Sequence, residues 1–348
     1  MKTRSGAAGA TAVVALAALL AIAAHAARTL DIYFIDVEGG QSTLLVTPAG
    51  ESLLVDTGYG GNDARDARRI MAAVRDAGLT KIDYLLITHF HQDHDTGIVD
   101  LAPQIPIGTF VDHGGLSQDA PKDAGYKDIL RAYDAYVAIR AKGRHIDAKP
   151  GDRIPLKGVD VVVVSSAAAT ITSALGGGGQ ANPACTPQAP DPAEPIENPR
   201  STGFHLRFGT FRFIDLGDLT GRPLFTLFCQ KNLLGPVDAY LVPHHGGDDV
   251  SNPAYAAALQ PRAAIVNNGE TKGGGAKTLA MLRQAGRLDV WQLHRSTNRG
   301  VENVADARIA NLDTTTGFAL KLSASDDGAF TITNQRTGET RAYSRATR

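Results

Sequence analysis

Three histidines and an aspartate fall within six positions in the run Thr88-His89-Phe90-His91-Gln92-Asp93-His94. Imidazole nitrogens and carboxylate oxygens are first-choice ligands for zinc and similar divalent ions. On an irregular loop, alternate side chains can turn toward two neighbouring points, so this one short segment can serve two metals. The plain alternative is a solvated polar loop. Loops rarely collect this composition without a ligand to bind.

Two later stretches carry the same chemistry. Phe213-Ile214-Asp215-Leu216-Gly217-Asp218 is an apolar strand that ends by presenting a carboxylate. Tyr240-Leu241-Val242-Pro243-His244-His245-Gly246 ends in paired histidines. Taken alone, Asp218 has a turn or N-cap residue as its lesser reading, and the histidine pair reads equally as a site or as ordinary surface. Taken with the first cluster, all three read as one metal site.

The first cluster fits the signature His-x-His-x-Asp-His in order, through His89, His91, Asp93 and His94. It is preceded by Leu53-Leu54-Val55-Asp56-Thr57-Gly58, a strand ending in Asp-x-Gly. In these motifs the chain resembles the metallo-β-lactamase-fold hydrolases. The resemblance implies an α/β fold, an αββα four-layer sandwich of two mixed sheets face to face with helices outside. It extends over nearly all of the chain from Leu30 to about Leu322. Most enzymes of that fold supply a further histidine where this chain has Glu197-Asn198-Pro199-Arg200-Ser201. The Asn198-x-x-Ser201 pattern, with Gly217-Asp218 and Pro243-His244-His245-Gly246, resembles the hydrolase domain of the ComEC-type competence proteins. The first motif differs, since Asp36-Val37 is followed by Glu38-Gly39-Gly40-Gln41-Ser42. That resemblance covers only the hydrolase domain, so DNA transport is not carried over.

The resemblance implies two divalent metal ions, zinc first and manganese second. His89 and His91 would bind one ion, with Asn198 as a weak third ligand or none. Asp93, His94 and His244 would bind the other, and Asp218 would bridge. His245 and Ser201 would face the substrate or support the site, though His244 and His245 can exchange roles. Asp56 would orient the loop from behind. A bound divalent ion lowers the pKa of water from about 15.7 toward about 7 and so supplies hydroxide at neutral pH. Asp93 would orient that nucleophile. The expected substrate is a phosphoester or phosphodiester. A lactone or β-lactam is the alternative, and a binding module with a structural or vestigial metal site is the reading from a different class. No Gly-x-Ser-x-Gly elbow surrounds Ser42 or Ser201.

Several other polar residues are weaker candidates. His113 ends a strand beside two glycines, at reach of the site rim. His145 and His205 read as surface or sheet histidines. His294, Asn267, Asn268 and Lys272 follow apolar strands and are candidates for holding substrate oxygens.

The elements that must position these residues are legible as pattern. Leu30 to Val37, Ser42 to Thr47 and Glu51 to Val55 read as a meander broken by glycine turns. Asp63 to Ala77 reads as an amphipathic helix stopped by Gly78, and Lys127 to Lys142 as another. A second block of strands begins around Ile146, Ile154 and Val159 to Val164. Gly/Pro-rich residues 172–200 form a long loop, with six prolines between Asn182 and Pro199. A hairpin turns at Gly209. Strands at Pro236–Val242, Ala263–Val266, Val290–Leu293, Phe318–Leu322 and Phe330–Asn334 alternate with helices at Pro253–Leu259 and Ala276–Ala285.

Composition sets the outer bounds. A hydrophobic fraction of 43% with 20% charged residues supports a substantial globular core. A formal net charge of −1 lacks the basic surplus of a protein that relies on phosphate attraction to bind duplex, so no stable nucleic-acid partner is expected. Lys2 and Arg4, the apolar run Ala7 to Ala24 and the small-x-small site Ala24-His25-Ala26 read as a signal peptide over 1–26. An uncleaved anchor is the alternative, since the run approaches spanning length. Residues 27–348 read as a single domain, secreted or periplasmic, with no membrane contact after cleavage. Cys185 and Cys229 form a disulfide in such a compartment or remain two thiols.

Overall fold

Apolar runs punctuated by glycine turns build a meander, β1 (Leu30–Phe34), β2 (Thr43–Val46) and β3 (Ser52–Val55), paired antiparallel. The computed structural model describes residues 29–123, 125–185, 196–229 and 231–346. Helix α1 (Arg65–Asp76) carries the chain across to β4 (Ile82–Leu86), which lies parallel to β3. The turns α2 (Gln92–Asp95) and α3 (Ile98–Leu101) follow, then β5 (Ile107–Asp112), α4 (Tyr126–Arg140) and β6 (Arg144–Asp147). Both β5 and β6 extend the sheet in parallel.

The second sheet starts antiparallel, with β7 (Arg153–Ile154), β8 (Asp160–Ser166), β9 (Ala169–Thr170), β10 (Gly203–Phe208) and β11 (Phe211–Asp215). Helix α5 (Gly221–Phe228) leads to β12 (Ala239–Leu241), α6 (Pro253–Leu259) to β13 (Ala263–Val266), and α7 (Ala276–Gln284) to β14 (Asp289–His294). These strands and β15 (Ile309–Asn311) run parallel from β11 onward. The chain then returns to the first sheet as β16 (Leu320–Ala324), β17 (Phe330–Asn334) and β18 (Thr340–Tyr343). The resulting orders are β18-β17-β16-β1-β2-β3-β4-β5-β6 and β15-β14-β13-β12-β11-β10-β8-β7, with β9 on β8.

Burial divides this arrangement into four layers. The inner apolar cluster draws from both sheets, joining Leu30, Phe34, Leu53 and Leu322 to Phe204, Phe213, Ile265 and Trp291. A second cluster packs α1 and α4, through Ala67, Ile70, Val74, Ile129 and Tyr136, on the outer face of the first sheet. A third packs α5, α6 and α7, through Leu224, Phe228, Tyr255 and Leu282, on the outer face of the second. This is the expected αββα sandwich of two mixed sheets with helices outside.

Some elements were not legible. Helix α5 begins Gly-Arg-Pro, which reads as loop, but proline is tolerated in a first helical turn. The strand around Ile146 joins the first sheet at its edge rather than opening the second. Cys185 and Cys229 are bridged, with Cα atoms 5.4 Å apart, tying the Gly/Pro-rich loop to the C-terminus of α5.

Candidate metal centre

Parallel strands deliver their C-terminal ends to one edge of the sandwich. Asp56 follows β3, His89 to His94 follow β4, Asp218 follows β11, and the paired histidines follow β12. Gly217 adopts φ +55°, and a Cβ there would lie 2.8 Å from the Thr88 side chain. Only glycine lets these two strand tips, one from each sheet, meet so closely.

Asp218 Oδ2 is the hub. His245 Nε2 lies 3.1 Å from it and His94 Nε2 3.2 Å. His89 Nε2 and His244 Nε2 each lie 3.9 Å away. Asp93 Oδ2 is a second focus, 3.1 Å from His94 Nε2 and 3.2 Å from His245 Nε2. Asp93, His94, Asp218 and His245 form a buried tetrad whose ligand atoms all lie within 4.8 Å of one another. Beside it, His89 Nε2 and His91 Nδ1 face each other at 2.9 Å.

The outer nitrogens are held from behind. His94 Nδ1 lies 2.7 Å from Asp56 Oδ2, and His244 Nδ1 lies 2.8 Å from Asp249 Oδ2. Thr88 Oγ1 donates to Asp56 Oδ2 at 2.8 Å and lies 3.1 Å from His89 Nδ1. Each contact engages Nδ1 and leaves Nε2 of its histidine turned toward Asp218. A carboxylate or hydroxyl behind the ring is what orients metal-ligating histidines.

The donor set fits a pair of divalent ions. Asp218 Oδ1 is buried with no hydrogen-bond partner while Oδ2 is ringed by imidazole nitrogens, the arrangement a shared bridging carboxylate requires. Nitrogen and carboxylate donors on one buried edge suit zinc and manganese alike. Burial, with the neighbouring His94 and His91 rings, holds the His89 ring well below the ordinary imidazole range, so it stays neutral and ready to ligate. Burial opposes ionisation of Asp93 and Asp218. The cations around them outweigh it and hold both carboxyls well below their usual range.

The rim carries one ammonium group. Lys272 Nζ is in direct contact with Asp93 Oδ2 and lies 3.4 Å from the Tyr59 hydroxyl. Burial lowers the Lys272 pKa, but Asp93 and Asp218 outweigh it and push it up to about 12.

The expected residues do not all take their expected places. The sequence reading put His244 with Asp93 and His94. In the structure His245 stands there, and His244 is displaced toward Asn198, whose Nδ2 lies 3.3 Å from its Nε2. The cause is local backbone: His244 and His245 both adopt left-handed φ, 49° and 53°. Ser201 is buried, and its carbonyl accepts from Ser165 Oγ at 2.9 Å. His113 pairs with buried Glu197 at 3.2 Å rather than with the tetrad. His145 lies 3.0 Å from Asp112, and His205 is buried in β10. His294 faces Asp36 and Glu38, and Asn268 donates to the His294 carbonyl at 2.9 Å. Asn267 Nδ2 donates to Gln41 Oε1 at 3.4 Å. Asp249 and Tyr59 were missed. Nothing in a short acidic pair or a lone tyrosine beside a glycine loop marks either as part of a site.

Residues 36–168 match the family described as the metallo-beta-lactamase superfamily and contain four of the strand-end ligand positions. No curated protein matches the chain. Among solved structures, a variant of the CmlA beta-hydroxylase is 17% identical, with a TM-score of 0.46, over 83% of this chain and 59% of its own. A metal-dependent hydrolase of the beta-lactamase superfamily is 11% identical, with a TM-score of 0.44, over 80% of this chain and 100% of its own. The Rm3 metallo-beta-lactamase is 14% identical, with a TM-score of 0.36, over 67% of this chain and 82% of its own. The chain thus spans about three-fifths of the CmlA protein it matches. The family match covers residues 36–168, and the whole described chain has the layered sandwich of two mixed sheets typical of that fold. The buried tetrad inside that fold offers the donor set of a metal centre. Among the described residues, no helix is long and apolar enough to cross a membrane.

Proposed function

We propose that this protein is an exported two-metal phosphodiesterase. The observation that carries the substrate class is Lys272, an ammonium held at the metal centre by Asp93 and Tyr59. A fixed cation beside a hydrolytic centre favours a substrate that carries negative charge of its own and develops more in the transition state. The pattern Asn198-x-x-Ser201 supports kinship with the ComEC-type hydrolase domains, which points the same way.

His89 and His91 would hold one ion and Asp93, His94 and His245 the other, with Asp218 between them. Bound divalent ions, zinc or manganese, supply Lewis acidity and lower the pKa of water to near neutrality. Asp93 would accept a hydrogen bond from the attacking water and so orient it. Lys272 Nζ takes a non-bridging phosphate oxygen. Asp56 and Thr88 fix the rings of His94 and His89, so the ligand nitrogens need no reorganisation when substrate arrives.

The segment read as a signal peptide, 1–26, lies outside the described residues. Export is supported by the Cys185–Cys229 bridge, which persists in oxidising compartments. We read 27–348 as one hydrolase domain because the inner core joins β1 to β16 and β17 as well as to the second sheet.

The test is a substrate panel. Metal-stripped protein reloaded with zinc or manganese is assayed on bis(p-nitrophenyl) phosphate, a chromogenic β-lactam and a lactone, with His91→Ala as control. Diester turnover lost in the control is the expected result. Turnover of the lactam or lactone alone would move the assignment to carbonyl hydrolysis.

A further inference from the structure

We infer that Asp36, Glu38 and His294 form a further divalent-cation site, apart from the metal centre and weaker than it, that takes zinc or manganese. The inference goes beyond the phosphodiesterase reading and does not depend on it.

The three residues come from strand ends in both sheets. Asp36 and Glu38 follow β1 in the first sheet, and His294 is the last residue of β14 in the second. One ligand atom from each lies within 4.8 Å of the other two. Asp36 Oδ1 is 3.1 Å from His294 Nε2, and Glu38 Oε2 is 3.3 Å from it. None of the three belongs to the tetrad of Asp93, His94, Asp218 and His245.

The observation that points to an ion is the His294 ring. Its side chain is fully buried, and neither ring nitrogen makes a hydrogen bond. Nε2 is close to two carboxylate oxygens yet meets hydrogen-bond geometry with neither. Buried polar groups left in this state are rare and call for an unseen partner. Donors that converge without bonding one another are what the ligands of a shared ion present. One imidazole nitrogen with two carboxylate oxygens suits zinc and manganese.

The carboxylates are held from behind. Arg69 Nη1 donates to Asp36 Oδ2 at 2.8 Å, and Nη1 and Nη2 donate to Glu38 Oε1, each at 3.0 Å. Nη2 also donates to the Thr316 carbonyl at 2.7 Å. The guanidinium thus occupies one oxygen of each acid and leaves the other facing His294. Contacts of this kind orient the ligands of metal sites. The same guanidinium limits affinity, because its charge repels a cation beside the carboxylates. The metal centre therefore fills first. The side chains of Glu38 and Arg69 are 13% and 14% exposed, which gives an ion a way in.

Position gives the ion a task. The turn Gly39-Gly40-Gln41 runs from Glu38 to the metal centre. The Gln41 N–H donates to the Asp93 carbonyl at 3.1 Å. A Cβ on Gly39 would lie 2.9 Å from Lys272 Cβ, and one on Gly40 would collide with the Asp93 carbonyl. An ion shared by Asp36, Glu38 and His294 fastens this turn to the second sheet, beside Asp93 and Lys272.

The experiment is calorimetric titration of metal-free protein with zinc, and separately with manganese, past saturation of the centre to millimolar metal. It compares the unmodified chain with His294→Gln, Glu38→Gln, Asp218→Ala and the double variant Asp218→Ala/His294→Gln. Circular dichroism confirms that each is folded. The unmodified chain should show one saturable equivalent weaker than those of the centre. His294→Gln and Glu38→Gln should lose it or bind it at least about tenfold more weakly. Glu38→Gln covers the case in which His294→Gln does not fold. Asp218→Ala should bind one equivalent more than the double variant, and metal should raise its melting temperature by more. Unchanged binding in His294→Gln and Glu38→Gln would overturn the site and leave a proton as what the three atoms share. So would identical binding by Asp218→Ala and the double variant. The two-metal reading fails separately: if the unmodified chain binds one equivalent and His294→Gln abolishes it, this site stands and the centre does not.

Discussion

Asp56 Oδ2 lies 2.7 Å from His94 Nδ1, with both side chains fully buried beyond the C-terminal ends of neighbouring parallel strands. The same carboxylate accepts from the Thr88 backbone N–H at 2.7 Å and from its hydroxyl at 2.8 Å. One buried acid therefore fixes a ligand ring and the start of the loop that carries three more ligands. Replacing it removes the orientation of His94 without removing any donor. Asp56→Asn should weaken metal affinity by about 10–100-fold, as loss of a carboxylate behind a ligating histidine typically does. Calorimetric titration of the apo protein checks this, and unchanged affinity would show the contact to be purely structural.

Lys272 makes a prediction about substrate charge. Hydrogen bonds to charged groups are worth about 1.5–3 kcal/mol, so Lys272→Gln should lower kcat/KM for a phosphodiester by roughly 10–100-fold. Metal content should not fall, because lysine is no ligand here. A neutral ester or lactone should lose much less, so the ratio of the two rates is the informative quantity.

The Cys185–Cys229 bridge links positions 44 residues apart. Closing a loop of that order stabilises a fold by roughly 2–4 kcal/mol, chiefly through the unfolded chain. Reduction, or Cys229→Ser, should lower the melting temperature by several degrees while leaving metal stoichiometry at two, since neither sulfur belongs to the centre. An unchanged melting temperature would show that the loop needs no tether.

His294 predicts a pH dependence. Its ring is buried, which lowers its pKa, but Asp36 at 3.1 Å and Glu38 at 3.3 Å outweigh burial and push it up to about 9. The unfolded value is near 6.5, so the protonated ring favours the folded state. That contribution is fully present below pH 6.5 and is lost as pH rises through about 9. Its size is about 3 kcal/mol by the usual conversion. Denaturant unfolding at pH 6.5 and pH 9.5 should show a drop in the native protein that His294→Gln lacks.

The sequence was most informative where strand ends meet function. Largely apolar runs ending before Thr88, Asp218 and Pro243 announce both the strand and the ligands thrown beyond it, because strands buried in a parallel sheet are rich in apolar residues. Roles inside the pair His244-His245 were not legible. Adjacent positions on a regular strand diverge, whereas here both residues adopt left-handed φ in a tight turn and both rings lie near Asp218 Oδ2. Asp249 and Tyr59 were hidden for a different reason. Each acts through one long-range contact, with no periodicity or spacing to mark it. Helix α5 was hidden by its first turn, and β18 by its exposure, since an edge strand with little buried surface shows no alternation.

The most direct test follows diester hydrolysis as metal is restored. Metal-free protein is titrated with zinc or manganese, and initial rates on bis(p-nitrophenyl) phosphate are plotted against bound ion, with Asp218→Ala alongside. Activity should rise with occupancy and level off at two equivalents, and the Asp218→Ala protein should stay at the buffer rate throughout. Two bound ions with hydrolysis no faster than buffer would contradict the account.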